Sequence, residues 1–277
     1  MKTNRRNFIK TSGAAVAGGM ILPPFLQSFQ NVQISANVKS YLDQFEVSAE
    51  MLQKVIAAAM SKGGDYADLF FEHKKTNSLG LEDGKVNRAY SNIDFGVGIR
   101  VLKGDQTGFA YSETITLDAM LNAAKLAANI ANSNKEYKNV DINEKTPPHF
   151  YTISKKWDEV SVEDKVPYVQ KINDRIFSLD DKVIKVNAFM SDETSYVLFY
   201  NSEGKLTYDY RPMINFGAVC IMQKGEQVEN SYAARSFRKG FEWLTDDLVD
   251  KLAKAAVDRT NILFEATKPK AGEMPVV

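Results

Sequence analysis

The sequence predicts an α+β fold of two successive modules, each a mainly antiparallel sheet with flanking helices. Three observations carry that prediction. Short runs rich in β-branched and aromatic residues follow one another with tight-turn signals between them, the mark of adjacent antiparallel strands. Helical periodicity is confined to segments that lead and close each group of strands. A polar stretch bearing Pro147-Pro148 separates the two groups. The expected organisation is an N-terminal module over residues 46–132, a linker over 133–150 and a central module over 151–265.

The first module opens with a helix from about Val47 to Gly63. Leu52, Val55, Ile56, Ala59 and Met60 fall at helical spacing on one face. Ser48 is a suitable N-cap, and Gly63-Gly64 stops the helix. Strands follow from Leu69-Phe70-Phe71-Glu72 onward. Ser78 to Glu82 and Val86 to Ser91 flank Asp83-Gly84, a two-residue hairpin signal because both positions need positive φ. Phe95 to Leu102 and Thr107 to Ser112 flank Lys103-Gly104-Asp105. Thr116 then caps a helix to about Ala131, with Leu117, Met120, Leu121, Ala124 and Ala128 on one face.

In the second module, Ser161-Val162-Glu163-Asp164 reads as a helix start, and Pro167 is tolerated in a first turn. Val169, Ile172, Ile176 and Phe177 continue the apolar face. The expected strands are Val183 to Met190, Tyr196 to Asn201, Leu206 to Tyr210, Ile214 to Gln223 and Val228 to Ala234. Asp246 to Phe264 closes the module as a helix carrying Leu248, Leu252, Ala255, Ala256 and Ile262. The modules share a plan but no sequence repeat.

Both ends carry further signals. Arg5-Arg6-Asn7-Phe8-Ile9-Lys10, followed by the mild apolar run Gly13 to Leu22 and Pro23-Pro24, reads as a twin-arginine export signal and leader over residues 1–35. The run is shorter than the ~20 residues a bilayer crossing needs. Export by this route implies a periplasmic protein with no membrane span after signal removal. At the other end, residues 266–277 read as a charged Pro/Gly linker and the opening of an apolar strand. The expectation is the front part of something longer, with a C-terminal domain absent from this chain.

Composition narrows the function. Lys+Arg and Asp+Glu balance at 35 each. Residues 1–30 hold Lys2, Arg5, Arg6 and Lys10 and no acid, so the remainder is net acidic. That argues against nucleic acid, whose binding needs a basic stripe. Cys220 is the single cysteine, so no internal disulfide forms, and its apolar neighbours make it a buried small hydrophobe.

The sequence presents no catalytic, cofactor-binding or metal-ligating residues. His73 and His149 are too far apart for a local metal motif; His73 reads as a solvated strand-face residue and His149 as a linker residue. Gly96-Val97-Gly98 lacks a dinucleotide loop's third glycine and marks a bulge or close backbone approach. Asp180-Asp181, Asp192-Glu193 and Asp246-Asp247 read as turn or helix-start residues. Arg235 and Arg238 with Phe237 and Phe241 form a basic-aromatic patch, read as a solvated loop.

Several strings in this order resemble one family. They are Gly64-Asp65-Tyr66-Ala67-Asp68, Leu81-Glu82-Asp83-Gly84-Lys85-Val86, Gly96-Val97-Gly98-Ile99-Arg100-Val101-Leu102 with Gly108-Phe109-Ala110, Asn201-Ser202-Glu203-Gly204, and Ala271-Gly272-Glu273-Met274-Pro275-Val276-Val277. Together they resemble the TldD/PmbA metallopeptidases, on the TldD-like side, over roughly Val47 to Val277. The resemblance implies a zinc-dependent peptidase acting on small or unfolded peptides as a homo- or hetero-dimer with a TldD/PmbA-like subunit. Its HExxxH helix would lie in the absent C-terminal domain, so no residue here inherits a catalytic or metal-binding role and zinc is expected outside this chain. Most members are cytosolic, and the export signal departs from that pattern. The function so implied is a non-catalytic front portion that guides peptides and forms the dimer; the alternative is a naturally short, non-catalytic partner subunit. Main-chain pairing along an open strand edge would suit such guiding, with Ser78 to Ser91 and Phe95 to Leu102 as candidate edges.

Overall fold

The computed structural model describes residues 34–133, 135–148, 150, 152–267 and 271–275. Residues 1–33, which hold most of the expected export leader, His149 and the closing Val276-Val277 lie outside the described residues.

Among the described residues the first two helices are α1 (Ala36–Gln44) and α2 (Ala49–Met60). Strands β1 (Tyr66–Glu82), β2 (Lys85–Lys103) and β3 (Gln106–Ser112) follow, then α3 (Leu117–Ala128) and the short β4 (Asn143–Glu144). The second half holds α4 (Val162–Leu179), β5 (Val183–Asn201), β6 (Lys205–Lys224), β7 (Gln227–Phe237) and α5 (Asp246–Leu263). The α+β class holds. Ser48, Thr116 and Ser161 each accept a hydrogen bond from the backbone N–H three residues on, fixing the starts of α2, α3 and α4. Helix α1 was not expected from the sequence. Ser35 caps it, and Val38 and Tyr41 on its inner face, with Phe45 just after it, enter the core.

The strands form one sheet instead of two. Its order is β3-β2-β1-β5-β6-β4, with β7 also on β6. Pairing is antiparallel except for β4, which runs parallel to β6. The join is β1 against β5, from Asp68↔Asn201 to Glu82↔Asn187. Segments that read as separate strands are continuous: β1 runs 17 residues, β5 19 and β6 20. At ~3.3 Å per residue such strands are ~55–65 Å long, enough to cross both modules.

Two hydrophobic cores form, and each draws residues from both halves of the chain. The first packs α1, α2 and α3 on Ala67, Leu69 and Phe71 of β1 and on Val97, Ile99 and Val101 of β2. The second packs α4 and α5 on Leu79 and Leu81 of β1 and on Val186, Ala188 and Met190 of β5. All five β1 residues are odd-numbered, so period-2 alternation places both cores on the same sheet face. Phe70 and Glu72 of β1, Arg100 of β2 and Phe109 of β3 therefore sit on the opposite face.

Turns follow the sequence signals. Asp83 and Gly84 have φ of 51° and 71°, the two positive values the β1–β2 hairpin requires. Pro212 lies in the stretch of β6 that neither β4 nor β7 pairs, where a missing N–H breaks no ladder.

Candidate functional site

Strand β2 outruns its outer neighbour. β3 pairs only with Val97 to Lys103, whereas β1 pairs with β2 from Lys85 to Leu102. Among the described residues, the outer edge of β2 from Lys85 to Gly96 therefore has no strand partner for its backbone N–H and C=O groups. Residues 85–95 are all exposed, including Tyr90 and Ile93 at more than half of their full exposure. An edge of this length with apolar residues is open to pairing with another chain. Of the Ser78 to Ser91 hairpin expected as an edge, only the second arm is one; the first arm, Ser78 to Glu82, lies between β2 and β5. Phe95 to Leu102 is not: from Val97 onward it has a strand on both sides, and only Phe95 and Gly96 remain open.

The sheet's other outer strands differ. β3 is only seven residues long. Along β7, Arg259 of α5 donates to the Tyr232 carbonyl, so a helix side chain already engages that strand.

Two grooves border the β2 edge. The first has a volume of about 830 Å³ and wraps round the edge where β3 ends. Phe70, Phe109, Tyr111 and Phe199 give it aromatic walls. Gly96 and Gly98 leave its floor bare: a Cβ on Gly96 would meet the Ser112 carbonyl at 2.6 Å, and one on Gly98 the Phe109 ring at 3.2 Å. Close approach, the second of the two readings of Gly96-Val97-Gly98, is the structural reason for these glycines. Arg100 donates to Asp68 at 2.5 and 3.0 Å, which holds the guanidinium above its ordinary pKa. Glu72 accepts from the Ser195 hydroxyl at 2.7 Å.

The second groove, about 590 Å³, lies under the edge on the helix-covered face. Small Ala89 and Ser91 on β2 leave its space, and Trp157, Val160 and Val162 form its far wall. At its base Lys165 of α4 meets Asp192 of β5 at 2.8 Å, both nearly fully buried. Asn77 of β1 donates to the other Asp192 oxygen at 2.8 Å. This corrects the turn reading of Asp192-Glu193: both lie within β5, which continues because Asp192 has its partners. Sequence reasoning missed this pair. A buried partner from a distant helix leaves no local signal.

The other titratable candidates play structural parts. Asp180 follows the last residue of α4 and accepts from Lys182 and Asn261. Asp246 and Asp247, in the first turn of α5, pair with Lys171 and Lys251. Phe241 is not a solvated loop residue; it meets Trp157 and Tyr168 edge-on against the second core. Phe237 packs on Trp243. His73 is half-buried between Gln44 and Phe95 instead of freely solvated. Cys220 is fully buried in the second core, and burial pushes its thiol up to about 11. Among the described residues no group of three or more His, Cys, Asp or Glu side chains is placed to hold a metal ion. The described residues therefore do not fit a zinc centre. Among the described residues no helix is long and apolar enough to cross a membrane.

An α+β sheet with two cores on one face and a bare strand edge defines the structural class. Residues 67–131 match the PmbA/TldA metallopeptidase domain 1, and residues 155–264 match the PmbA/TldA metallopeptidase central domain. The chain belongs to the TldD/PmbA metallopeptidase family. The Metalloprotease TldD homolog of Haemophilus influenzae is 28% identical over 240 residues, 83% of this chain and 49% of the relative. The homolog of Buchnera aphidicola subsp. Schizaphis graminum is 25% identical over 220 residues, 77% and 46% of the respective chains. The chain spans about half the length of the curated relatives it matches. Among solved structures, TldE from Thermococcus kodakarensis shares the fold with a TM-score of 0.53 at 16% identity, covering 76% of this chain and 47% of that one. A Thermotoga maritima protein, described as a candidate modulator of a DNA gyrase, reaches 0.62 at 17% identity, covering 80% and 50%.

Proposed function

We propose that this chain is the peptide-guiding, non-catalytic front portion of a TldD/PmbA-type zinc peptidase. Hydrolysis then belongs to a C-terminal domain that carries the zinc, and the present residues receive the substrate. One observation carries this reading: the edge of β2 from Lys85 to Gly96, which has no strand partner among the described residues. An extended peptide laid along it gains main-chain hydrogen bonds that do not depend on its sequence. Unfolded or small peptides offer free main-chain groups, whereas folded proteins have spent theirs on their own secondary structure.

Two further parts of the proposal rest on other grounds. The family membership and the TldD and TldE names among its relatives support assembly with a TldD/PmbA-like subunit as a homo- or hetero-dimer. The Arg5-Arg6 string supports twin-arginine export and a periplasmic site of action.

Proline substitution tests the edge. Ala89 and Tyr90 are adjacent, so one turns its N–H toward β1 and the other outward. Proline at the outward position keeps the fold and abolishes binding of an unstructured peptide; proline at the inward position lowers thermal stability. Undiminished binding by the stable variant contradicts the proposal.

A further inference from the structure

We propose that the peptide taken by the β2 edge is a basic one, with a Lys or Arg side chain seated in the groove where β3 ends. This rests on the strand-addition reading above and adds the substrate's chemistry. The groove is continuous with the edge, because Ile93, Asp94, Phe95 and Gly96 border both. An added strand points alternate side chains to the uncovered sheet face every ~6.8 Å, so one of them faces the groove.

Charge decides which side chain fits. Four carboxylates line the groove, those of Asp68, Glu72, Asp94 and Glu113, against one cation, Arg100. Arg100 is committed to Asp68 at 2.5 Å. Lys74 approaches Asp94 only at 3.6 Å. Glu72 and Glu113 stand in no ion pair among the described residues. The walls add a second attraction. Phe109 is 64% exposed and Tyr111 70% exposed, and aromatic faces attract a cation. An anionic side chain would meet like charge here, and an aliphatic one would leave Glu72 and Glu113 without an ion-pair partner.

The test uses the 277-residue chain and fluorescein-labelled, unstructured nine-residue peptides that differ only in carrying Lys, Glu or Ala at alternate positions. Anisotropy titrations at low and high salt read the affinities. The expected result is at least tenfold tighter binding of the Lys peptide than of the Glu peptide at low salt, with the gap narrowing as salt screens it. Glu72→Gln/Glu113→Gln removes the preference while weaker binding persists. Glu113→Gln alone, on the exposed rim, reports the same direction should the double variant fold poorly. Equal affinity for Lys and Glu peptides, with binding still lost in the stable proline variant, overturns this proposal and leaves strand addition standing. Binding that ignores the proline overturns both. A dimer by sedimentation that the same proline dissociates places a second copy on the edge and overturns the basic-peptide assignment.

Discussion

Lys165 and Asp192 form an ion pair at 2.8 Å with their side chains 5% and 2% exposed. It ties α4 to the middle of β5, near where the two cores meet above the shared sheet. Asn77 completes the carboxylate's hydrogen bonds from β1. Removing one partner strands a charge away from water. Lys165→Met or Asp192→Ala is therefore expected to cost about 3–5 kcal/mol, read by denaturant unfolding. Replacing both with apolar residues of similar size is expected to cost far less than either single change, because no charge remains buried.

Acid sensitivity is expected from Asp180. Hydrogen bonds from Lys182 and then Asn261 lower its carboxyl from 3.8 to about 2. A depressed carboxylate contributes stability that is fully present above its unfolded value. That contribution falls away as pH drops from about 4 toward 2. Asp180→Asn should lower stability at neutral pH by about 1–2 kcal/mol, with the gap from the parent closing near pH 2. A gap that does not change between pH 7 and 2 contradicts this.

The opposite sign applies at high pH. Burial raises Cys220 to about 11 and Tyr210 to about 12. Both fold in their neutral forms, so their contribution is complete below about pH 9 and is lost as pH climbs through 11 and 12. The same burial protects the thiol. Iodoacetamide at pH 8 is expected to leave the native protein unlabelled and to modify it fully in denaturant; rapid labelling of the folded chain would contradict the packing of Cys220.

Gly108 lets α3 lie on β3. A Cβ there would meet the Ala127 carbonyl at 2.1 Å and Ile130 at 3.0 Å. Gly108→Val is expected to cost about 2–3 kcal/mol by forcing helix and strand apart. Gly104, with φ of 54° and open space around it, meets no contact, so Asn there costs about 1 kcal/mol from the left-handed backbone alone. Thermal unfolding of the two variants separates contact from conformation.

The local grammar of this fold is legible in the sequence, and its long-range joins are not. Ser48, Thr116, Ser161 and Asp83-Gly84 act where their chemistry says they should, because caps and tight turns are decided within a few residues. Continuity of the strands was hidden at polar interruptions. Asp192-Glu193-Thr194-Ser195 looks like a turn but stays extended, since Asp192 finds Lys165 and Ser195 finds Glu72. The fusion into one sheet depends on β1 meeting β5 across more than a hundred residues, which no local pattern encodes. Helix α1 was missed because nine residues with three buried side chains carry little periodicity. The β2 edge was half legible. Its hairpin could be read from Asp83-Gly84, but where β3 stops pairing could not.

Amide hydrogen exchange along β2, with and without an unstructured peptide, tests the central claim most directly. In the free chain, alternate amides between Lys85 and Gly96 face β1 and should exchange slowly, while those between them face outward and exchange fast. On peptide addition the outward amides should become protected, with Val97 to Lys103 unchanged because β3 already covers them. Protection that appears elsewhere, with the outward β2 amides still fast in the peptide-bound protein, would contradict strand addition at this edge.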